Sequence, residues 1–184
     1  MAVTRMASRG ARRQRRGFTL IEIALAITVL VVALLAMSAS TLRMHGLQRT
    51  NRERVLAQNA VRTIAEEVRA LARQAAEGPN PWAQTVRLAL SPGGSLGTGF
   101  AVKELSPVEG QALVGTIELV LDETATDAEL GVDLGMPRDL DGDGLPSSTN
   151  VGDAARVLPI VLRARWRGAR GEHQVVHPFY VASH

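Results

Sequence analysis

The sequence predicts an α+β protein in which one long N-terminal helix, membrane-spanning in its first half, packs its second half on a small antiparallel β-sheet. Three observations carry this expectation. From Phe18 to Leu42 the only ionisable residue is Glu22. Val61, Ile64, Ala65, Val68, Leu71, Ala72 and Ala75 then recur at three- and four-residue steps, the spacing of one helix face. Near the C-terminus Leu162, Ala164 and Trp166 alternate with Arg163, Arg165 and Arg167, the two-residue period of a half-buried strand.

Composition narrows the chemistry. The chain has 184 residues, enough for one domain with an extension. Of 21 basic residues only Lys103 is lysine, and six arginines (Arg5, Arg9, Arg12, Arg13, Arg15 and Arg16) precede residue 17 with no acid among them. The formal charge is +3, but without these six the chain carries 15 basic and 18 acidic residues. Arginine content is therefore no argument for nucleic acid as a partner. With no cysteine there is no disulfide framework, thiolate zinc site or thiol nucleophile. His173 and His177 fall in a predicted strand, about 13 Å apart along it, and cannot share a metal as helical histidines can. There is no Gly-x-Ser-x-Gly elbow and no phosphate-binding P-loop. No catalytic group is assigned and no enzyme activity is expected.

The 25 positions from Phe18 to Leu42 would span roughly 37 Å as a helix, enough to cross a hydrocarbon core of about 30 Å. The arginines before them are held in the cytoplasm by the positive-inside rule, which sends the rest of the chain across. Two ordinary readings are a signal anchor and an export signal, the latter because Arg15-Arg16-Gly17-Phe18 partly matches a twin-arginine motif and Ala36-Met37-Ser38 offers a small-residue cleavage site. Both leave Glu22 without a reason. A carboxylate deep in an apolar run costs on the order of 2.5–3.5 kcal/mol and calls for a partner.

A third reading supplies one. Arg15-Arg16-Gly17-Phe18-Thr19-Leu20-Ile21-Glu22 resembles the processing motif of type IV prepilins, the family of pilins, minor pilins and type II secretion pseudopilins. The resemblance implies cleavage after Gly17 by a prepilin peptidase, N-methylation of Phe18 by the same peptidase/methyltransferase, and assembly with other pilin subunits through the inner-membrane platform. It also implies that Glu22 meets the Phe18 ammonium of a neighbour, since a buried charge is tolerable when paired. Glycine before the scissile bond leaves no side chain to obstruct a protease.

The amphipathic stem would end at Glu77-Gly78-Pro79, where glycine suits a left-handed cap and proline cannot continue the helix. Gly46 is the expected weak point between its halves. Thr85 to Leu90 reads as a short strand before a glycine-rich loop, and Ala112 to Leu121 as a second, with Ile117, Leu119 and Leu121 inward and Thr116, Glu118 and Val120 outward. Val157 to Arg167 and Glu172 to Val181 form a hairpin across Gly168 to Gly171, its three arginines solvated. Pro178 marks an edge or bulge. The stem from Arg43 to Arg73 and the closing hairpin, Arg163-Ala-Arg-Trp166 followed by Gly171 and a valine-rich strand, resemble the V-type minor pilins, also called type IV pilus modification proteins. The absence of a C-terminal cysteine pair departs from many major pilins.

Between strands, Asp139-Leu-Asp141-Gly-Asp143-Gly144 has the first half of an EF-hand loop, with the Leu145 carbonyl at the seventh position and Ser147 at the ninth. Asn150 stands at the twelfth in place of a bidentate glutamate, and Asp153 would substitute if the chain doubles back. Calcium is the expected ion and a solvated acidic turn the alternative; no cofactor is required. The division expected is a cleaved leader at 1–17, a transmembrane or filament-core helix at 18–42, a stem at 43–77 and a sheet domain at 78–184 with a long loop at 122–153. The expected place is the inner membrane, N-terminus cytoplasmic, C-terminal domain periplasmic, then the pilus or pseudopilus. The rival of a different class is a calcium-binding extracytoplasmic domain on a plain anchor or after twin-arginine export.

Overall fold

The computed structural model describes residues 19–168 and 171–183. They form helix α1 (Leu20–Ala76), helix α2 (Trp82–Ala89), strands β1 (Gly99–Phe100) and β2 (Gly115–Leu119), a one-turn helix α3 (Asp127–Leu130), a 3₁₀ turn (Gly152–Ala154), and strands β3 (Val157–Gly168) and β4 (Gly171–Ala182). All strand pairs are antiparallel in the order β1-β2-β3-β4. The architecture is α+β, with the later part of the long N-terminal helix packed on a small antiparallel sheet. The described residues fall into two units that divide between His45 and Gly46. α1 continues as helix through Gly46, where the division falls.

In the first unit every described helical residue from Leu20 to His45 is exposed. Past its first turn its backbone polar groups pair within the helix, and three of its hydroxyls turn back onto it. Thr28 Oγ1 donates to the Ala24 carbonyl at 2.8 Å, Ser38 Oγ to Leu34 at 2.9 Å and Thr41 Oγ1 to Met37 at 3.0 Å. A helix that turns hydroxyls back onto its own carbonyls is suited to lipid, which offers no partners.

The second unit holds the core. Ala57, Val61, Ala65, Val68, Ala72 and Ala75 are buried, while Arg62, Glu66, Glu67 and Arg73 are exposed on the other face of α1. Four of these six apolar positions being alanine lets helix and sheet approach closely. The opposing sheet face carries Leu158, Ile160, Leu162, Ala164 and Trp166 of β3, paired in register with Val181, Phe179, His177, Val175 and His173 of β4. The Arg69 guanidinium lies 4.8 Å from the centre of the Phe179 ring, fixing the helix against that face.

Thr85 to Ala89 is helix, not strand, and Leu90 follows as its C-cap. Trp82, Ala83, Val86 and Ala89 are all buried, a helical spacing that overrides the short apparent alternation, and Trp82 Nε1 donates to the Ala72 carbonyl at 2.9 Å to seat α2 on the stem. β2 is shorter than the sequence suggests, and Val120, expected outward, is buried. Beyond Leu119 the strand phase ends; the Val120 amide bonds the Pro159 carbonyl at 3.0 Å and the chain turns inward. Glycine is required at 115, opposite Phe100: a Cβ there would lie 2.2 Å from the ring. Pro178 lies on β4, an edge strand, as its missing amide demands.

The second sheet face is not solvated along its whole length. Pro159 and Val161 are buried because the segment 122–153 lies over them. Tyr180 Oη donates to the Leu134 carbonyl and Arg163 Nη2 to the Leu130 carbonyl. The Arg138 guanidinium stands 5.1 Å from the centre of the Tyr180 ring. The long loop is thus a third layer, and the three-arginine stripe expected to face solvent is broken. Arg163 is half-buried and also meets Glu118 at 3.4 Å, while Arg165 is 3.7 Å from Glu172.

Candidate functional site

Two regions bear on function, one in each unit. Gly17 and Phe18, the expected cleavage and methylation residues, lie outside the described residues. Glu22 is in the first turn of α1 and exposed. A carboxylate in that position complements the positive end of the helix dipole, and no described residue pairs with it. It is the only ionisable group between Leu20 and Leu42, so the exposed apolar helix offers a partner one charge at one height.

The second region is the loop over the sheet, organised by carboxylates that accept backbone amides. Glu123 is fully buried. Its Oε1 accepts from the Leu140 and Asp141 amides at 2.6 and 3.2 Å, and its Oε2 from Ser147 and Ser148 at 3.2 and 3.0 Å. Burial pushes its carboxyl up, yet the four amides together outweigh burial and hold it below the ordinary value. Asp127 accepts from Leu134, Gly135 and Met136 at 3.0, 2.8 and 3.0 Å, and the Met136 amide is the largest influence lowering its carboxyl. Thr126 and Glu129 cap α3 reciprocally.

The residues expected to bind calcium divide into two groups. Asp139 and Asp141 are brought together with Glu123, one carboxylate oxygen of each lying within 4.8 Å of the others. Asp139 already accepts from Gly142 at 2.6 Å and Gly144 at 2.9 Å, chiefly the former lowering its carboxyl. Asp143 Oδ1 accepts from the Leu145 amide at 2.8 Å, and the Leu145 carbonyl takes the Ser147 amide at 2.9 Å. Asn150 and Asp153 are engaged elsewhere. Asn150 Oδ1 takes the Gly152 amide at 3.0 Å, and Asp153 pairs with Arg87 of α2 at 2.8 Å. The chain does not double back to bring Asp153 to the loop.

Sequence reasoning missed Glu123 and Asp127. A signal was present: a long segment rich in glycine and poor in regular structure must find acceptors for its amides, and acidic residues at its start are the nearest. Nothing in the spacing says which of them is buried.

Comparison with protein-family models matches residues 12–38 to the prokaryotic N-terminal methylation motif. Comparisons with curated proteins and with solved structures give no match. The matched stretch contains Gly17, Phe18 and Glu22 and continues into the exposed apolar helix. The motif supports a prepilin-like protein of the type IV pilin and pseudopilin kind, processed by prepilin peptidase and assembled with other pilin subunits. Together with a helix long and apolar enough to cross a membrane, it suggests membrane anchoring.

Proposed function

We propose that the protein is a minor pilin, a structural subunit that is incorporated into or primes a type IV pilus and does no catalysis. The precursor is held in the inner membrane by α1, leader inside and sheet domain in the periplasm. Cleavage after Gly17 frees the Phe18 amine for methylation, and the subunit then leaves the membrane for the filament, where apolar helices pack together. Within that core Glu22 offsets the Phe18 ammonium of a neighbour and sets axial register.

The observation that carries this reading is a methylation motif leading directly into an exposed apolar helix with one carboxylate. A plain anchor gives no purpose to Glu22. The test is Glu22→Ala. Membrane insertion should be unchanged or improved, and recovery in sheared filaments should fall at least tenfold; undiminished recovery refutes the pairing. Deletion of the whole gene separates the minor pilin from a type II secretion pseudopilin, since the first removes surface filaments and the second blocks release of exported hydrolases.

The acidic loop is assigned calcium on the same footing. The favouring observation is Glu123, which adds a buried carboxylate to Asp139 and Asp141. The oxygen-only donor set fits a hard cation, with Asp143, Leu145 and Ser147 on the adjoining turn. Bound there, the ion would neutralise crowded carboxylates and tighten a loop that the amides already hold.

A further inference from the structure

One end of the second unit is unusually rich in arginine. Arg49, Arg52 and Arg54 follow Gly46 on α1, and the closed end of the β3–β4 hairpin lies beside them. A Cβ on Gly168 would be 2.5 Å from Glu53 Oε2, and the Arg167 amide bonds the Ser106 carbonyl at 3.0 Å. Arg52 reaches Glu104 at 2.7 Å, which brings the loop carrying Lys103 to the same end. The basic groups in these segments are Arg49, Arg52, Arg54, Arg165, Arg167 and Lys103, and the acids met by them are Glu53, by Arg49, Glu104, by Arg52, and Glu172, by Arg165. Glu53 is buried, whereas Arg49 and Arg52 each have side chains 70% exposed. Arg54 and Arg167 are exposed with no acidic partner among the described residues.

These arginines work against the orientation of the precursor. Six stand before the apolar segment, and Arg43, Arg49, Arg52 and Arg54 stand within 12 residues after it, inside the distance over which flanking positive charge sets topology. Such residues on a translocated flank need a use that offsets this cost. Counting from Leu42, Arg49 is 7 residues on, so the cluster begins directly after the apolar segment in the chain.

We propose that this end of the second unit docks on anionic phospholipid headgroups, with Arg49, Arg52, Arg54 and Arg167 contacting phosphate. The inference rests on the membrane-inserted precursor described above. Docking would hold the sheet domain at the bilayer before assembly and release it when subunit contacts replace lipid.

The full chain is reconstituted in vesicles of phosphatidylcholine alone or mixed with phosphatidylglycerol, and arginine labelling by phenylglyoxal is followed residue by residue by mass spectrometry. Phosphatidylglycerol should slow labelling at Arg52, Arg54 and Arg167 by roughly fivefold or more, about the weight of one arginine at an anionic surface, and high salt should restore it. Arg62 and Arg73, exposed elsewhere on the unit, should not respond. Alkaline extraction reports insertion separately. Insertion in both vesicles with equal labelling overturns the docking alone, and failure to insert overturns the membrane reading with it. A variant carrying Arg54→Gln and Arg167→Gln should insert normally and lose the protection at Arg52; retained protection also overturns the proposal.

Discussion

Glu123→Gln isolates what holds the long loop on the sheet. The wild-type carboxylate is fully buried and accepts four backbone amides at 2.6 to 3.2 Å. Glutamine keeps the shape but only one acceptor oxygen; its NH₂ group would face the other two donors. Each hydrogen bond to a charged acceptor contributes about 1.5–3 kcal/mol, and two are lost, so after relaxation the variant should be less stable by about 3–4 kcal/mol. For a protein of ordinary stability this is a large fraction of the total, and it corresponds to a melting temperature lower by roughly 10 °C. The assay is thermal unfolding of the full chain in mild detergent, followed by near-ultraviolet dichroism of Trp82 and Trp166. Glu118→Gln, altering an exposed carboxylate 3.4 Å from Arg163, should change stability by no more than about 0.5 kcal/mol. The pH dependence follows from the lowered carboxyl of Glu123. Because its folded value lies below the ordinary 4.5, its stabilisation is complete above 4.5 and fades as pH falls through the folded value. The gap between wild type and variant should therefore narrow on acidification below 4.5. A loss under about 1 kcal/mol, or a gap that widens in acid, refutes the role given to Glu123.

Gly115→Ala should destabilise by about 1–3 kcal/mol through overpacking, because its Cβ would meet Phe100 at 2.2 Å, and Phe100→Leu should recover part of the loss in the same melting assay. Calcium in excess should raise the melting temperature of the wild type and not that of Asp141→Asn. Asp141 is the loop carboxylate for this test because its only described bond is to the Asp143 amide at 3.1 Å, so the variant keeps the fold. Stabilisation by about 2–3 kcal/mol is expected when the ion is near a hundredfold above its dissociation constant; no shift in the wild type removes calcium from the account.

The parts legible in the sequence were those written in a repeating period. The stem face from Val61 to Ala75 and the β3 alternation from Leu162 to Trp166 each repeat several times, and tertiary packing preserved both. Thr85 to Leu90 failed because six residues hold too few repeats to separate a strand from a helix, and burial of Trp82 and Ala83 just before them decided it. The solvated reading of Arg163 failed for a different reason: period identifies a face but not what covers it, and the covering layer begins more than thirty residues earlier in the chain. In the loop, Asp139 and Asp141 were found because the motif spaces them locally. Glu123 joins them across 16 residues, and no local pattern records that approach. Asp153 was assigned by proximity in the chain, but Arg87 of α2 offers it a charged partner that the loop does not. Glu22 needed no structure, since an isolated charge in an apolar run stands out by itself.

Mass spectrometry of the N-terminus of the mature protein, purified from the membranes and filaments of its own cells, tests the central claim most directly. The account predicts a chain that begins at N-methylated Phe18 and lacks all six leader arginines. An intact leader would mark a plain anchor, and a new N-terminus near Ser38 an exported domain; either would contradict processing as a pilin-like subunit.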